Sequence, residues 1–218
     1  MSAPGLRAIV LDFDGVILES VELKTRAMRR LFADRAEHLP AIERYHTENA
    51  GLSRYEKFRH FYATMFQQPL SGDEMDRLDR TFGEIVAEEI DACAFVPGAL
   101  AFLEARAAEL PLFVASGTPE EELCGIVERC GLGRWLTGVY GSPRTKAQHL
   151  RAIAAQLQTT PNTLLMIGDG RQDFEAAAET GARFIGRVPR RGSSIFAPGT
   201  MVVEDLAEFA ARWADVRD

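Results

Sequence analysis

Short apolar runs that alternate with helical patterns constrain the fold of this chain more than any other sequence feature. The first run spans residues 8–11 (Ala-Ile-Val-Leu), and the clearest spans 163–167 (Thr-Leu-Leu-Met-Ile). Both have the length and the apolar content of buried strands. Such alternation predicts a parallel sheet with helices on both faces. Further strands are predicted at 112–115, 139–140, 184–185 and 201–203, and helices at 99–109, 119–130, 145–157, 174–180 and 206–213.

One long segment, residues 16–92, interrupts this alternation directly after the first strand. An amphipathic helix is predicted at 19–32, and apolar side chains then recur at helical steps to about residue 91, with no strand pattern. We therefore predict an α/β fold, with a Rossmann-like parallel sheet core at 1–15 and 93–218 and an inserted all-helical domain at 16–92. An insertion at this point lies above the carboxyl-terminal edge of the sheet, where open α/β folds bind ligands.

Composition and charge exclude several classes of function. The 218 residues are 46% hydrophobic and 26% charged, as in an ordinary globular protein, and the formal charge of −7 argues against binding to nucleic acid. No apolar run approaches the roughly 20 residues of a membrane-spanning helix. The three cysteines form no CxxC pair, which favours a reducing compartment. We predict a cytoplasmic monomer or homodimer with a small-molecule substrate and no membrane or nucleic-acid partner.

Polar side chains follow the predicted strands at their carboxyl ends. Because those ends share one edge of a parallel sheet, residues that are far apart in the sequence converge there. Each of these residues alone is typical of a turn, a helix start or a solvated surface, so it is their convergence that predicts a site. Four features take such positions: Asp12 with Asp14, Ser116, Lys146, and Asp169 with Asp173.

The carboxylates of this set predict a cation site. Asp12 and Asp14 lie two residues apart, and Gly15 permits a sharp turn directly after them. Crowded carboxylates repel one another unless a cation or a shared proton relieves them, and Asp169 adds a third negative group. Oxygen donors of this kind suit Mg²⁺. Lys146 can neutralise both a carboxylate and a bound phosphate.

The same edge offers groups that bind phosphate. Ser116 supplies a hydroxyl, and the predicted turn through Gly117, before the next helix, supplies backbone N–H donors. A carboxylate is one of the nucleophiles that accept a phosphoryl group covalently, and phosphoryl transfer depends mainly on positioning and charge neutralisation. The residues therefore favour phosphoryl-transfer chemistry.

These residues, in this order, resemble the four motifs of the haloacid dehalogenase superfamily. The run 12–16 (Asp-Phe-Asp-Gly-Val) is similar to the first motif, Ser116 to the second, Lys146 to the third, and Gly-Asp at 168–169 with Asp173 to the fourth. The resemblance covers nearly the whole chain. It implies the α/β fold with the helical insertion as a cap, and an enzyme that uses Mg²⁺.

The resemblance also implies a role for each motif residue. Asp12 is expected to attack phosphorus and form an aspartyl-phosphate, and Asp14 to protonate the leaving oxygen and then activate water. Mg²⁺ is expected at Asp12, at the backbone carbonyl of Asp14 and at Asp169, with Asp173 close by or acting through water. The residues expected to bind the phosphate or the rest of the substrate are Ser116, Lys146, Gly15 and Gly117.

Asp14 also discriminates within the superfamily. The dehalogenases lack an acid two residues after the nucleophile, because their halide leaving group needs no proton, so Asp14 favours phosphoester chemistry. The leading hypothesis is a phosphoric monoester hydrolase for a small phosphorylated metabolite, such as a sugar phosphate or a phosphoglycolate-like acid. A β-phosphoglucomutase-like phosphomutase is the alternative, and a non-enzymatic binding module is a third hypothesis. A phosphonatase is disfavoured, because no cap lysine of that enzyme is identified.

One loop of the predicted cap suggests a substrate contact. Residues 51–54 (Gly-Leu-Ser-Arg) resemble the cap loop of β-phosphoglucomutases, in which the arginine contacts the non-transferring phosphate. By that resemblance Arg54 binds substrate, and with Lys57 it forms a small cationic patch for a carboxylate or a second phosphate. The competing interpretation is a helix start, with Ser53 as the N-cap and Glu56 three residues later. The two interpretations are compatible, because a helix N-terminus itself favours anions.

The remaining ionisable groups have no pattern of a site. His38, His46, His60 and His149 lack metal-ligand spacing and are predicted to be ordinary surface or cap residues. Arg187, Arg190 and Arg191 form a basic cluster that is typical of a solvated loop.

Overall fold

A six-stranded parallel sheet forms the centre of the fold in the computed structural model, which describes residues 5–189 and 194–216. The spatial order of the strands is β3-β2-β1-β4-β5-β6. All five neighbouring pairs are parallel, which requires a crossover connection between successive strands. The predicted α/β class with a parallel sheet is therefore confirmed. The strands are β1 (Ala8–Leu11), β2 (Leu112–Pro119), β3 (Gly138–Ser142), β4 (Leu164–Gly168), β5 (Arg183–Arg187) and β6 (Val202–Val203).

The first strand lies in the middle of the sheet, between β2 and β4. Its last residue, Leu11, lies opposite Val114 of β2 and Ile167 of β4. All four residues of β1 are buried, as expected for a strand whose two faces are both covered by helices. This register brings the residues that follow β1 and β4 to the same edge of the sheet.

The segment between β1 and β2 is helical, as the sequence predicts for 16–92. The structure describes every residue of 16–92 and assigns none of them to a strand, and an isolated bridge between Leu18 and Phe95 joins the two ends of the segment. Its division from the core as a separate domain stays a prediction. We call the segment from α1 to α4 the helical insertion. Its elements are α1 (Val21–Leu31), a 3₁₀-helix (Ala33–His38), α2 (Leu39–Glu48), α3 (Arg54–His60), a π-helix (Phe61–Phe66) and α4 (Gly72–Ile90).

Alternate residues of the central strand pack against different helices. The helices that follow the insertion are α5 (Ala99–Ala107), α6 (Glu120–Arg129), α7 (Lys146–Gln156), α8 (Arg171–Thr180) and α9 (Leu206–Ala211). Ala8 and Val10 belong to the apolar cluster with α7 and α8, whereas Ile9 and Leu11 belong to the cluster with α5, α6 and α9. The second cluster also contains buried phenylalanines of the helical insertion, so the insertion and the sheet share one apolar core.

Two elements differ from the sequence-based prediction near the edge that carries the site. Strand β2 continues to Pro119, so Ser116 and Gly117 lie in an irregular part of a strand and not in a turn. The register shifts there, because Ala115 and Pro119 pair with β3 positions only two residues apart. Helix α8 begins at Arg171, three residues before the predicted start. Among the described residues, no helix is both long and apolar enough to cross a bilayer.

Candidate active site

The strand ends bring part of the predicted site to one cavity, whereas Lys146 and Asp173 lie buried beside it. Asp12 directly follows β1, Asp169 directly follows β4, and both line this cavity together with Ser116 of β2. Lys146 is the first residue of α7, whose start is held by the Thr145 hydroxyl, which accepts a backbone N–H of the first turn. The convergence follows from topology, since parallel strands end at one edge.

Lys146 joins two buried carboxylates. Its Nζ lies 2.7 Å from Asp12 Oδ2 and 2.5 Å from Asp173 Oδ1, and all three side chains are at most 5% exposed. Burial alone lowers the pKa of Lys146, but the charges of Asp12 and Asp173 outweigh it and raise that pKa above its usual value. The other Asp173 oxygen accepts the Gly170 N–H at 3.0 Å, which also supports the first turn of α8. Lys146 is therefore a fixed cation beside Asp12.

Three carboxylates at this edge of the sheet form an acidic cluster. Asp12, Asp169 and Asp173 each place one oxygen within 4.8 Å of the others. Burial raises the pKa of Asp12; the charge of Lys146 opposes this shift, and the neighbouring carboxylates add to it. Burial and the charge of Asp173 raise the pKa of Asp169 to about 7. One lysine does not offset three negative groups, and all the donors are hard oxygens, so the cluster fits Mg²⁺.

The Asp14 carboxylate lies apart from this cluster and has its own cation. Lys24 Nζ donates to Asp14 Oδ2 at 2.6 Å, Ser20 Oγ donates to Asp14 Oδ1 at 2.6 Å, and Thr118 Oγ1 donates to Asp14 Oδ2 at 3.0 Å. Burial raises the pKa of Asp14, but the charge of Lys24 and these hydrogen bonds outweigh it and hold that pKa at about 2. The Asp14 side chain is therefore ionised at neutral pH.

Gly15 gives the acidic cluster the space it occupies. Its φ is +71°, and a Cβ at this position would lie 2.0 Å from Asp169 Oδ2. The Gly15 carbonyl accepts a hydrogen bond of 3.1 Å from Arg187, which also forms an ion pair of 2.6 Å with Glu19. Arg187 is 5% exposed, so its prediction as part of a solvated loop is wrong. The other members of that predicted cluster, Arg190 and Arg191, lie outside the described residues.

The loop at 50–52 of the helical insertion covers the cavity from above. It lies so close to β2 that a Cβ on Gly117 would approach the Gly51 carbonyl oxygen to 2.8 Å. Gly117 lines the cavity, and because it has no side chain the loop at 50–52 can pack against it. The cavity lies between the insertion and the sheet edge.

Arg54 lines the same cavity, but its charge is already neutralised. Its Nη2 lies 2.7 Å from both carboxylate oxygens of Glu122 in α6, and its Nη1 lies 3.2 Å from Asp79 Oδ1 in α4. The guanidinium also lies over the Phe82 ring at 4.6 Å. Arg54 therefore ties the helical insertion to a core helix, and substrate binding by this residue stays a prediction. The helix start at Ser53 is present, since its hydroxyl accepts the Glu56 N–H at 3.3 Å.

The comparisons with known proteins identify the family. The family model for haloacid dehalogenase-like hydrolases matches residues 6–181, a range that includes every candidate site residue. The chain belongs to the haloacid dehalogenase-like hydrolase family. It is 26% identical to phosphoglycolate phosphatase of Escherichia coli (strain K12) over 113 residues, which span 50% of this chain and only 44% of that relative.

Solved structures share the fold of this haloacid dehalogenase-like hydrolase. A hydrolase from Pseudomonas syringae aligns with a TM-score of 0.80 and 18% identity, over 97% of this chain and 100% of that chain. A predicted phosphoglycolate phosphatase from Haemophilus somnus aligns with a TM-score of 0.75 and 17% identity, over 96% and 99% of the two chains. At these identities the similarity establishes the fold alone.

Two histidines of this hydrolase are more deeply buried than the sequence suggests. His149 is 1% exposed in α7, where its Nε2 lies 3.0 Å from the Gly141 carbonyl oxygen, so its prediction as a surface or cap residue is wrong. His46 does belong to the helical insertion, but it is 5% exposed. Burial and the nearby charge of Lys57 lower the pKa of His46 to about 2, so its ring is neutral.

Sequence reasoning missed Lys24, the residue that sets the ionisation of Asp14. One signal was present: Ser20 and Lys24 are four residues apart at the start of a predicted helix, so they lie on one helix face. The sequence did not indicate that this face turns back onto Asp14. Thr118, which accepts from Lys24 at 2.7 Å and donates to Asp14, was missed because it was assigned to a turn.

Proposed function

We propose that this hydrolase is a Mg²⁺-dependent phosphatase that hydrolyses a small phosphorylated metabolite through an aspartyl-phosphate on Asp12. The observation that carries the proposal is the setting of Asp12, a buried carboxylate held 2.7 Å from Lys146 in a cavity shared with Ser116 and the ionised Asp14. The partial match to phosphoglycolate phosphatase supports a phosphorylated acid as the substrate. The cytoplasmic location and the state of monomer or homodimer stay predictions.

In the proposed mechanism, Asp12 attacks phosphorus and the bond between phosphorus and the ester oxygen breaks. Lys146 and Ser116 hold the oxygens of the transferring phosphoryl group. Asp14 enters this step ionised, because Lys24 favours that form. It takes the proton of the substrate phosphate, whose second pKa is about 6, and passes this proton to the leaving oxygen. Asp14 then takes a proton from the water that attacks the aspartyl-phosphate, and Asp12 is released.

The acidic cluster has a defined part in this proposal. Asp12, Asp169 and Asp173, with the backbone carbonyl of Asp14, would hold Mg²⁺, whose charge would offset that of the phosphoryl oxygens. The buried carboxylates keep the ligand set in place, and Gly15 leaves room for Asp169. The loop at 50–52 limits the access of bulk water to Asp12.

The proposal is tested by Asp12→Asn in a phosphate-release assay with phosphoglycolate and β-glucose 1-phosphate. We expect the variant to lose at least about 10³-fold in kcat, since a covalent nucleophile is removed. Asp91→Asn is the matched control, because Asp91 forms an exposed ion pair with Arg129 and does not line the cavity. Chelation should abolish release and Mg²⁺ should restore it. Unchanged turnover in Asp12→Asn contradicts the proposal, and glucose 6-phosphate without phosphate release identifies a mutase instead.

A further inference from the structure

The cavity is lined by three cationic side chains of the helical insertion, Lys24, Arg54 and Lys57. Apolar side chains of Met28, Leu52 and Phe82 line the same cavity. A substrate that reaches Asp12 with its phosphate extends its other end among these groups. Whether each cation is already paired with a carboxylate therefore decides which chemical group that end of the substrate must carry.

Two of the three cations are neutralised by the protein itself. Lys24 lies 2.6 Å from Asp14 Oδ2, and Arg54 pairs with Glu122 and Asp79 at 2.7 and 3.2 Å. A substrate anion that approached either one would compete with a carboxylate already in place. Neither residue therefore offers an open positive charge.

Lys57 differs from both, because its partners are uncharged. Its Nζ lies 3.3 Å from His46 Nδ1, 3.3 Å from the Ala50 carbonyl oxygen and 3.5 Å from the His46 carbonyl oxygen. His46 is neutral, so its Nδ1 can accept from the ammonium group. In the part of the chain that the structure describes, no carboxylate lies within ion-pair distance of Lys57, which is only 3% exposed.

The surroundings of the Lys57 ammonium group destabilise its charged form. Burial lowers its pKa to about 7; the charges of Lys24 and Lys146 add to this shift, and those of Asp14 and Asp169 oppose it. A buried cation with only neutral partners is stabilised by any anion that enters the cavity. Because the group lines the cavity, that anion can be part of a substrate.

We infer that Lys57 binds a second anionic group of the substrate and so selects phosphomonoesters that carry a carboxylate or another phosphate at their far end. The inference rests on the proposed phosphatase activity and assigns to Lys57 the contact that the sequence suggested for Arg54. Asp12 and Lys57 line the same cavity, so one substrate molecule can place its phosphate at Asp12 and its second anionic group at Lys57.

Three phosphomonoesters with a two-carbon chain test the inference: phosphoglycolate with a carboxylate, ethylene glycol bisphosphate with a second phosphate, and ethyl phosphate with neither. Lys57→Met should raise KM for the two esters that carry a second anion by about 10- to 100-fold, the worth of a buried charged hydrogen bond. KM for ethyl phosphate and all kcat values should change less than about twofold. Lys57→Arg should restore much of the lost affinity, and Arg80→Met, at an exposed position of α4, should have no effect.

Binding separates this inference from the proposed function. With Asp12→Asn as the background, the Kd of each ester is measured by calorimetry with and without Lys57→Met, after urea unfolding has confirmed that both proteins are folded. The inference is supported if the protein with Lys57 binds the two anionic esters more tightly than ethyl phosphate and the Lys57→Met variant does not. This result supports the inference even if the unsubstituted protein hydrolyses none of the esters. Absence of hydrolysis by the unsubstituted protein refutes only the proposed phosphatase activity. The inference is wrong if Lys57→Met weakens the binding of all three esters equally, or weakens the binding of none of them. A loss confined to the carboxylate ester or to the bisphosphate supports the inference and identifies which anion Lys57 selects.

Discussion

Gly15→Ala tests the role of the space beside Asp169. Gly15 has φ +71°, and an added Cβ would meet Asp169 Oδ2 at 2.0 Å and Val21 Cγ2 at 2.9 Å. Gly131 provides a matched control, since its φ is +66° and, among the described residues, nothing lies within 4 Å of the place its Cβ would take. Both alanines carry the same backbone strain, and only one displaces a carboxylate of the acidic cluster.

The expected magnitudes follow from these distances. A non-glycine residue in the left-handed region costs about 1–2 kcal/mol, and this applies to both variants. Gly15→Ala adds a contact more than about 1 Å too short, which we expect to cost a further ~1–3 kcal/mol of overpacking. Asp169 must move by a similar distance, so the Mg²⁺ affinity should fall by roughly 10- to 100-fold.

Urea unfolding of the two variants without metal measures the stability difference, and Mg²⁺ titration of phosphate release measures the affinity. Gly131→Ala should lose only the backbone contribution and keep the Mg²⁺ dependence of the unsubstituted protein. If the two alanine variants have the same free energy of unfolding and the same Mg²⁺ dependence, the assignment of Gly15 as the space for Asp169 is wrong.

Two further predictions concern ion pairs between the helical insertion and the core. Lys24→Met removes the cation that holds the pKa of Asp14 at about 2, so we expect the pKa of the Asp14 carboxyl, measured by NMR titration, to rise; an unchanged pKa argues against the assignment. For Arg54 and Glu122, a double-mutant cycle with Arg54→Met and Glu122→Gln in urea should give a coupling of about 1–3 kcal/mol, because Arg54 is only 5% exposed. A coupling near zero would show that this pair does not hold the insertion on the core.

Most of the fold is predictable from local pattern. The buried run at 8–11 is a strand because four consecutive apolar residues suit a position covered on both faces, and the structure places it at the centre of the sheet. The helical steps over 16–92 likewise become helices. The end of β2 was not predictable, because the residues from Ser116 to Thr118 lie where the pairing with β3 shifts its register.

The acidic part of the candidate site was also predictable from the sequence. Residues that directly follow parallel strands must emerge at one edge, so Asp12 and Asp169 had to lie close together once the strands were recognised. Lys146 lies near the same edge, because α7 begins shortly after the end of β3. What the sequence did not contain was the ionisation of each group, which depends on partners and on burial.

The sequence by itself thus determined that Asp12 and Asp14 lie at the edge of a parallel sheet, where they begin a candidate site, because strand patterns and strand ends are local properties. Only the tertiary structure decided that Asp14 is paired with Lys24 and that Arg54 is paired with Glu122, a residue 68 positions away. It also gave Lys57 uncharged partners, the ring of His46 and the carbonyl oxygen of Ala50. These outcomes depend on how the helical insertion packs on the sheet edge, and pairing of charges across that contact is set by distances that no local pattern encodes.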